Sequence, residues 1–132
     1  MLLLSMLFVS VTIKGDDGLI ILVTGSRNYN NYETIKDYVK KHFNKNTDVV
    51  IHGGAKGVDS LMERACKEEG IDTKVFKPVN PSIPTYYLHR NAEMIGLADR
   101  VVAFWDGVSR GTKFTIDYAK ARGKDVKIIK VI

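Results

Sequence analysis

Residues 48–61, DVVIHGGAKGVDSL, decide the fold predicted for this chain. The stretch opens with a β-branched run at 49–51, passes through three glycines and continues into a segment with helical spacing of apolar residues. A strand, a glycine-rich turn and a helix start make a place for an anion, because glycine lets a ligand approach the backbone and the first helical turn has free N–H groups. Asp59 falls in that turn, where its charge complements the helix dipole. The alternative interpretation is a tight turn with a helix-capping aspartate.

Outward from this stretch, apolar strands and amphipathic helices alternate from residue 19 to the end of the chain. Residues 19–23 form a continuous apolar run, which is typical of a strand covered on both faces. Asn30 and Glu33 have capping-box spacing at the start of the first helix. The further strands are predicted at 49–51, 73–76, 100–105 and 126–131, and the later helices after the glycine loop, at 86–97 and at 112–121. This pattern predicts a doubly wound α/β domain with a mainly parallel five-stranded sheet flanked by helices.

The first 18 residues are an extension that precedes the domain at 19–132. Residues 1–13, MLLLSMLFVSVTI, lack the basic residues of a secretory signal and are too short to span a bilayer. We predict an extra strand there, followed by a hairpin turn at 14–18. Such a strand either extends the sheet or helps to form a dimer. We expect a cytoplasmic protein with no membrane partner.

The composition is that of one soluble domain. The 132 residues are 45% hydrophobic and 27% charged, and 20 Lys and Arg against 15 Asp and Glu give a net charge of +5. This charge suits phosphorylated ligands or nucleic acid, although the basic residues are scattered rather than grouped in one block. The single Cys66 excludes an internal disulfide and is predicted to be a buried core thiol. No motif has metal-ligand spacing, so we expect no metal site and no required cofactor.

Polar and glycine-rich segments follow each of the first four strands of the domain, at 24–27, 52–59, 89–91 and 106–112. Because ligands of open parallel sheets sit beyond the carboxyl ends of the strands, we expect these segments to form one pocket. Their backbone N–H groups, their hydroxyls and the forks of Arg27, Arg90 and Arg110 suit a phosphate or a phosphoribosyl group. Asp59 and Asp106 are the acidic candidates, which either hold ribose hydroxyls or cap turns. Tyr29 and Trp105 are candidates for stacking on a base.

Four motifs together resemble the YspA-like branch of the SLOG superfamily: TGSR at 24–27, GGAKGVDSLMERA at 53–65, HRNAEM at 89–94 and ADRVVAFWDGVSRGTKFTIDYAKARGK at 98–124. The resemblance covers residues 19–132. It implies a Rossmann-like fold that binds a nucleotide or nucleotide-derived ligand, in a protein that senses or processes nucleotide signals. With Arg110 added from its chemistry, the expected ligand-binding residues are Gly25, Ser26, Arg27, Gly53, Gly54, Asp59, Arg90, Asn91, Ser109, Arg110, Gly111 and Thr112.

The same superfamily contains the Lonely-guy phosphoribohydrolases and the DprA single-stranded DNA-binding proteins. Arg90 matches an arginine of those hydrolases, but Asn91 replaces its lysine partner. Thr115 stands where they have a glutamate for acid/base work, which leaves Arg90 and Asp59 as catalytic candidates and Asp106 as a further substitute carboxylate.

Nucleotide binding is therefore the leading hypothesis for this chain. A nucleotide N-glycosidase is the second hypothesis, and binding of single-stranded DNA is the third. By analogy with related folds we expect a homodimer or a larger homo-oligomer.

Overall fold

A computed structural model describes residues 18–131 of the protein, in which five strands and four helices alternate. The strands are β1 (Ile20–Gly25), β2 (Val49–His52), β3 (Asp72–Val75), β4 (Arg100–Trp105) and β5 (Asp125–Lys130). The helices are α1 (Tyr32–His42), α2 (Val58–Glu69), α3 (Pro84–Leu97) and α4 (Arg110–Ala121). The predicted extra strand at 1–13 and the hairpin turn at 14–18 lie outside the described residues, apart from Gly18.

The five strands form one sheet in the order β3-β2-β1-β4-β5, and each neighbouring pair is parallel. This arrangement confirms the predicted doubly wound, Rossmann-like α/β fold. The chain steps outward from β1 to β2 and β3, then returns to the other side of β1 for β4 and β5. The strand order thus reverses between β1 and β4, which is the place where open sheets of this kind bind ligands.

The residues of β1 show how the sheet is covered on both faces. Ile21 and Val23 belong to a buried cluster with residues of α1 and α2, whereas Ile20 and Leu22 belong to a second cluster with residues of α3 and α4. Successive side chains of a strand point to opposite faces, so a continuous apolar run fills both layers. The prediction that residues 19–23 form a doubly covered strand is confirmed.

The start of α1 differs from the prediction by one residue. Asn31 is the N-cap, and its side chain accepts the backbone N–H of Thr34 at 3.2 Å. The predicted capping box of Asn30 and Glu33 is therefore wrong, because the neighbouring asparagine supplies the cap.

Two later helices begin earlier than predicted. Helix α3 starts at Pro84, a position that suits proline because the first-turn N–H has no helical partner. Helix α4 starts at Arg110, so Gly111 and Thr112 lie in its first turn rather than only in the preceding loop. Strands β3 and β5 each begin and end one residue before the predicted bounds.

The single thiol is part of the core. Cys66 is buried, as predicted, with its Sγ 3.7 Å from the Sδ of Met62. Burial raises the pKa of the Cys66 thiol to about 12, so it stays protonated at neutral pH and is a poor nucleophile. Within residues 18–131, no helix has the length and the apolar character needed to cross a lipid bilayer.

Gly57 joins the loop after β2 to α2 at a point where two loops touch. Its backbone has φ 74° and ψ −126°, and an added Cβ would lie 2.3 Å from the carbonyl oxygen of Ser26. The N–H of Val58 donates to that same oxygen at 3.2 Å. Only glycine combines this backbone conformation with such a close approach.

We expect Gly57→Ala to lower the free energy of unfolding by about 3 kcal/mol, because it adds a backbone clash to a strained conformation. Gly70 is the matched control, since it has the same φ of 74° with no atom within 4 Å of an added Cβ. Gly70→Ala should cost only about 1 kcal/mol. Urea unfolding of both variants measures the difference, and equal losses would contradict the role given to the Ser26 contact.

Candidate functional site

A cleft of about 260 Å³ opens where the sheet order reverses, at the carboxyl ends of β1 and β4. Ten of the twelve ligand-binding residues expected from the sequence line it, and Gly54 and Arg110 do not. The lining residues are Leu22, Val23, Thr24, Gly25, Ser26, Arg27, Asn28, Gly53, Ala55, Asp59, Arg90, Asn91, Met94, Ser109, Gly111, Thr112 and Thr115. Segments that are distant in the chain thus meet in one hollow.

The glycine loop after β2 turns its own N–H groups toward the protein. Gly54 N–H donates to Nδ1 of His52 at 3.0 Å, and Ala55 N–H donates to Oδ2 of Asp59 at 3.1 Å. The N–H of Gly53 also faces the Asp59 carboxylate. These donors are engaged within the protein rather than free, contrary to the sequence-based interpretation of Gly53 and Gly54.

The buried side chain of His52 holds the glycine loop after β2 in place. Its side chain is 1% exposed, and because Gly54 N–H can only donate, Nδ1 must be the unprotonated nitrogen. Nε2–H then donates to Oε1 of Glu63 at 2.6 Å, and the Thr73 hydroxyl donates to the other oxygen of Glu63 at 3.0 Å. This chain of hydrogen bonds ties the loop to both α2 and β3.

Asp59 is the one carboxylate that lines the cleft among the described residues. Only 8% of it is exposed, and this burial raises the pKa of its carboxyl above the ordinary value. The hydrogen bond from Ala55 N–H and the charge of Arg90 act in the opposite direction. Asp59 is therefore a buried acid beside a cation, which is an arrangement that occurs often in binding and catalytic sites.

The pH dependence of stability should report the burial of Asp59. A carboxyl whose pKa is raised by folding stabilises the fold below its unfolded pKa, and this contribution is lost as the pH rises through the folded pKa. We expect wild type to lose stability relative to Asp59→Asn from about pH 4 to neutral pH, by about 1.4 kcal/mol for each unit between the two pKa values. Thermal unfolding across this range measures the difference, and parallel curves would contradict the raised pKa.

Arg90 forms one wall of the cleft and is held firmly. Its Nη1 donates to the carbonyl oxygens of Gly53 and Phe76, each at 2.9 Å, and its Nε donates to Oδ1 of Asn91 at 2.9 Å. Burial lowers the pKa of the guanidinium, the charge of Arg27 acts in the same direction, and Asp59 opposes both. The guanidinium remains charged at neutral pH. Arg90 thus joins the ends of β2 and β3 and fixes one charge at the cleft.

Asp106 organises the loop between β4 and α4. Its carboxylate accepts the N–H groups of Val108 at 2.9 Å and Ser109 at 2.8 Å, and also the Ser109 hydroxyl at 2.8 Å. Hydrogen bonds from the backbone N–H groups of Ser109 and Val108 and from the Ser109 hydroxyl lower the pKa of Asp106 to about 2. Of the two roles open to Asp106 from the sequence, the structure shows the turn cap.

The first turn of α4 remains accessible as a result. Ser109 is the N-cap residue and makes no side-chain hydrogen bond to the helix, while its hydroxyl donates to Asp106. Gly111 has no atom within 4 Å of an added Cβ, so the backbone beside the cleft is open to a ligand. The N-terminal turn of a helix with unused N–H groups attracts anions.

Some lining residues were not singled out from the sequence as ligand-binding, among them Asn28, Ala55 and Thr115. The first two are neighbours of chosen residues, so their position in the loops is the signal that identifies them. Thr115 lies one helical turn after Gly111, and its hydroxyl donates to the Gly111 carbonyl oxygen at 3.2 Å. A threonine therefore lies in the cleft wall at this position.

The two proposed stacking residues do not line the cleft. Tyr29 packs against the core cluster on the α1 and α2 side, and the indole N–H of Trp105 donates to the carbonyl oxygen of Ser109 at 3.0 Å. Within residues 18–131, no group of three or more His, Cys, Asp or Glu side chains has an arrangement that would hold a metal ion.

Residues 19–80 match the model of the family described as the YspA, cpYpsA-related SLOG family. Over this segment the chain is similar to SLOG-family proteins. The matched segment contains β1, β2, the glycine loop and Asp59, and it ends before α3. No protein among curated sequences matches the chain significantly.

Two solved structures share the fold of this protein. DNA processing protein A (DprA) from Streptococcus pneumoniae superposes with a TM-score of 0.74 at 19% identity, over 85% of this chain and 50% of that one. The protein TM1055 superposes with a TM-score of 0.59 at 23% identity, over 81% of this chain and 71% of that one. The chain therefore spans half the length of the DprA chain, and these likenesses establish the fold.

Proposed function

We propose that this protein binds a nucleotide or a nucleotide-derived phosphorylated ligand in the strand-end cleft, as a sensor or processing protein. The observation that carries the proposal is the meeting of Arg27, Arg90 and the open first turn of α4 in one hollow at the reversal of strand order. A phosphate there would face two guanidinium groups and a helix N-terminus, which are the groups that proteins use for phosphate.

The electrostatic balance of the empty cleft favours an anion. Arg27 and Arg90 both line it, and the charge of Arg27 already lowers the pKa of Arg90. Asp59 is the only lining carboxylate within the described chain, and its pKa is raised by burial. A bound phosphate would relieve the repulsion between the two arginines, whereas a cationic ligand would increase it.

The two arginines have different roles in this proposal. Arg90 donates most of its hydrogen bonds to protein oxygens, so it supplies a fixed charge and a rigid wall. Arg27 lies exposed in the loop after β1, at the cleft edge, and is the arginine with freedom to form a bidentate contact with phosphate. Removing the Arg27 side chain should therefore weaken the binding of the ligand without disturbing the fold.

We expect Arg27→Ala to weaken the binding of nucleoside monophosphates by roughly 10- to 100-fold, the loss of one or two charge-assisted hydrogen bonds. Arg64→Ala is the matched control, because Arg64 lies exposed on α2 outside the cleft. Calorimetry with AMP, GMP, CMP and UMP on wild type and both variants measures the effect. Wild-type protein that is folded yet binds none of them would overturn the proposal.

The same experiment separates binding from catalysis. A hydrolase would need an acid, and Asp59 is the cleft residue whose raised pKa would suit that role. Chromatography of the mixtures after calorimetry detects any free base. Release that is lost in Asp59→Asn would assign the protein to the N-glycosidases, and intact nucleotide with measurable affinity would assign it to the binding proteins.

A second candidate function is the binding of single-stranded nucleic acid, and the distribution of charge favours it. Residues 110–130 contain seven Lys and Arg against two Asp, a net charge of +5, so the remaining residues sum to zero. This segment comprises α4, β5 and the turn between them. The Phe114 and Tyr118 rings stack on α4 with centroids 5.8 Å apart at 14°, and the Arg122 guanidinium lies 5.0 Å from the Tyr118 ring centre.

Basic side chains beside exposed aromatic rings are the elements of single-strand binding surfaces. The solved neighbour DprA is itself named a DNA processing protein. In this candidate function the single-stranded nucleic acid lies along α4 and β5, outside the strand-end cleft.

For this second function we expect affinity for a labelled oligothymidylate of about 20 nucleotides to fall roughly 50-fold between about 50 and about 200 mM salt, as for about four phosphate contacts. Phe114→Ala and Arg122→Ala should each weaken binding relative to wild type at the same salt concentration. Lys45→Ala, in the exposed turn between α1 and β2, should not. Fluorescence anisotropy measures all four proteins. Binding that ignores salt, or is equally weak in Lys45→Ala, would contradict this surface.

A further inference from the structure

A second cavity, of about 310 Å³, lies beside α3 and shares Arg90 with the strand-end cleft. Its lining residues are Lys77, Val79, Tyr86, His89, Arg90 and Glu93. None of these except Arg90 belongs to the strand-end cleft or to the residues expected from the sequence to bind a ligand. The second cavity therefore needs its own explanation.

Arg90 is a fixed boundary between the two hollows. Its Nη1 is held by the carbonyl oxygens of Gly53 and Phe76, at the ends of β2 and β3, so the side chain cannot swing toward either side without losing both hydrogen bonds. Its Nη2 donates to no acceptor among residues 18–131. One charged group thus faces both cavities with donor capacity left for an anion.

The second cavity has a different chemistry from the first. Tyr86 and His89 stack along α3, with ring centroids 5.9 Å apart at 24°, and Val79, in the loop after β3, is 93% exposed. The cavity also contains two cations, Lys77 and the shared Arg90, and one carboxylate, Glu93. A sugar or a nucleoside would use the ring faces for stacking and Glu93 as an acceptor for its hydroxyls, and the two cations would face a phosphate attached to it.

The volumes of the two cavities also indicate the size of the ligand. Ligand sites for molecules of drug or cofactor size occupy about 300–1,000 Å³, so the strand-end cleft of about 260 Å³ falls just short of that range by itself. The summed volume of the two cavities, which share Arg90 as a lining residue, falls within that range. A mononucleotide would leave the second cavity empty, and a longer ligand would fill both.

We propose that the ligand is a pyrophosphate-linked nucleotide, with one half in the strand-end cleft, the pyrophosphate against Arg90 and a sugar or second nucleoside in the cavity of Tyr86 and His89. This inference rests on the proposed nucleotide binding and specifies the class of ligand. Tyr86, His89 and Glu93 are the residues that select the second half. Arg27 and the first turn of α4 select the phosphorylated first half.

The test compares ligands that differ only in the second half. Calorimetry is carried out with AMP, ADP and ADP-ribose, with UMP, UDP and UDP-glucose, and with GMP, GDP and GDP-mannose. On wild type we expect one diphosphate sugar to bind about tenfold more tightly than its own diphosphate. The double variant Tyr86→Ala/His89→Ala should lose that gain and keep the affinity for the monophosphate within about twofold.

Leu88→Ala is the matched control, because Leu88 lies on the same helix, is 47% exposed and lines neither cavity. It should leave every affinity unchanged. Thermal unfolding confirms that the double variant is folded, and Arg27→Ala should weaken all the ligands of a series alike.

The outcomes separate this inference from the proposed function. If monophosphates bind and no diphosphate sugar gains affinity, or if the gain survives Tyr86→Ala/His89→Ala, the two-part ligand is wrong while nucleotide binding stands. If folded wild-type protein binds no ligand of any series, both proposals are overturned together.

Discussion

The cleft of this protein depends on a backbone contact between two loops. Gly57 brings the loop after β2 so close to Ser26 that an added Cβ would lie 2.3 Å from its carbonyl oxygen, and Val58 N–H donates to the same atom. Because this contact fixes the loop after β1 beside the start of α2, Arg27 and Asp59 line the same hollow. A side chain at position 57 would separate the loops and open the cleft.

The hydrogen bonds around the cleft show that many of its charged side chains bind backbone groups of the protein. Asp59 accepts N–H groups of the glycine loop, Asp106 accepts those of the loop before α4, and Arg90 donates to carbonyls at the ends of β2 and β3. Each of these charged groups holds a loop in place, so the loops are rigid before any ligand arrives. Preorganisation of this kind lowers the entropic cost of binding. The donors left for a ligand include Arg27, the first turn of α4 and Nη2 of Arg90.

The fold was predictable from the sequence because its signals are local and repeated. Continuous apolar runs identified β1, β2 and β4, and Gly70 marked the end of α2. The convergence of the loops was predictable from one topological rule, which places ligands at the carboxyl edge of a parallel sheet. Helix starts were less predictable, since either Asn30 or Asn31 could cap α1 and only packing selects between them. The net charge of +5 was predicted to be scattered, because no basic block exists along the chain, yet residues 110–130, which comprise α4, β5 and the turn between them, carry all of it.

By itself, the sequence determined the alternation of strands and helices, the glycine turns and the set of segments that could reach one edge of the sheet. It did so because apolar periodicity and backbone freedom are properties of neighbouring residues. Only the tertiary structure decided which donors are free. It assigned the N–H groups of Gly54 and Ala55 to His52 and Asp59, placed Arg110 outside the cleft, and set Arg90 between two cavities. Those outcomes depend on distances between residues far apart in the chain, which no local pattern records.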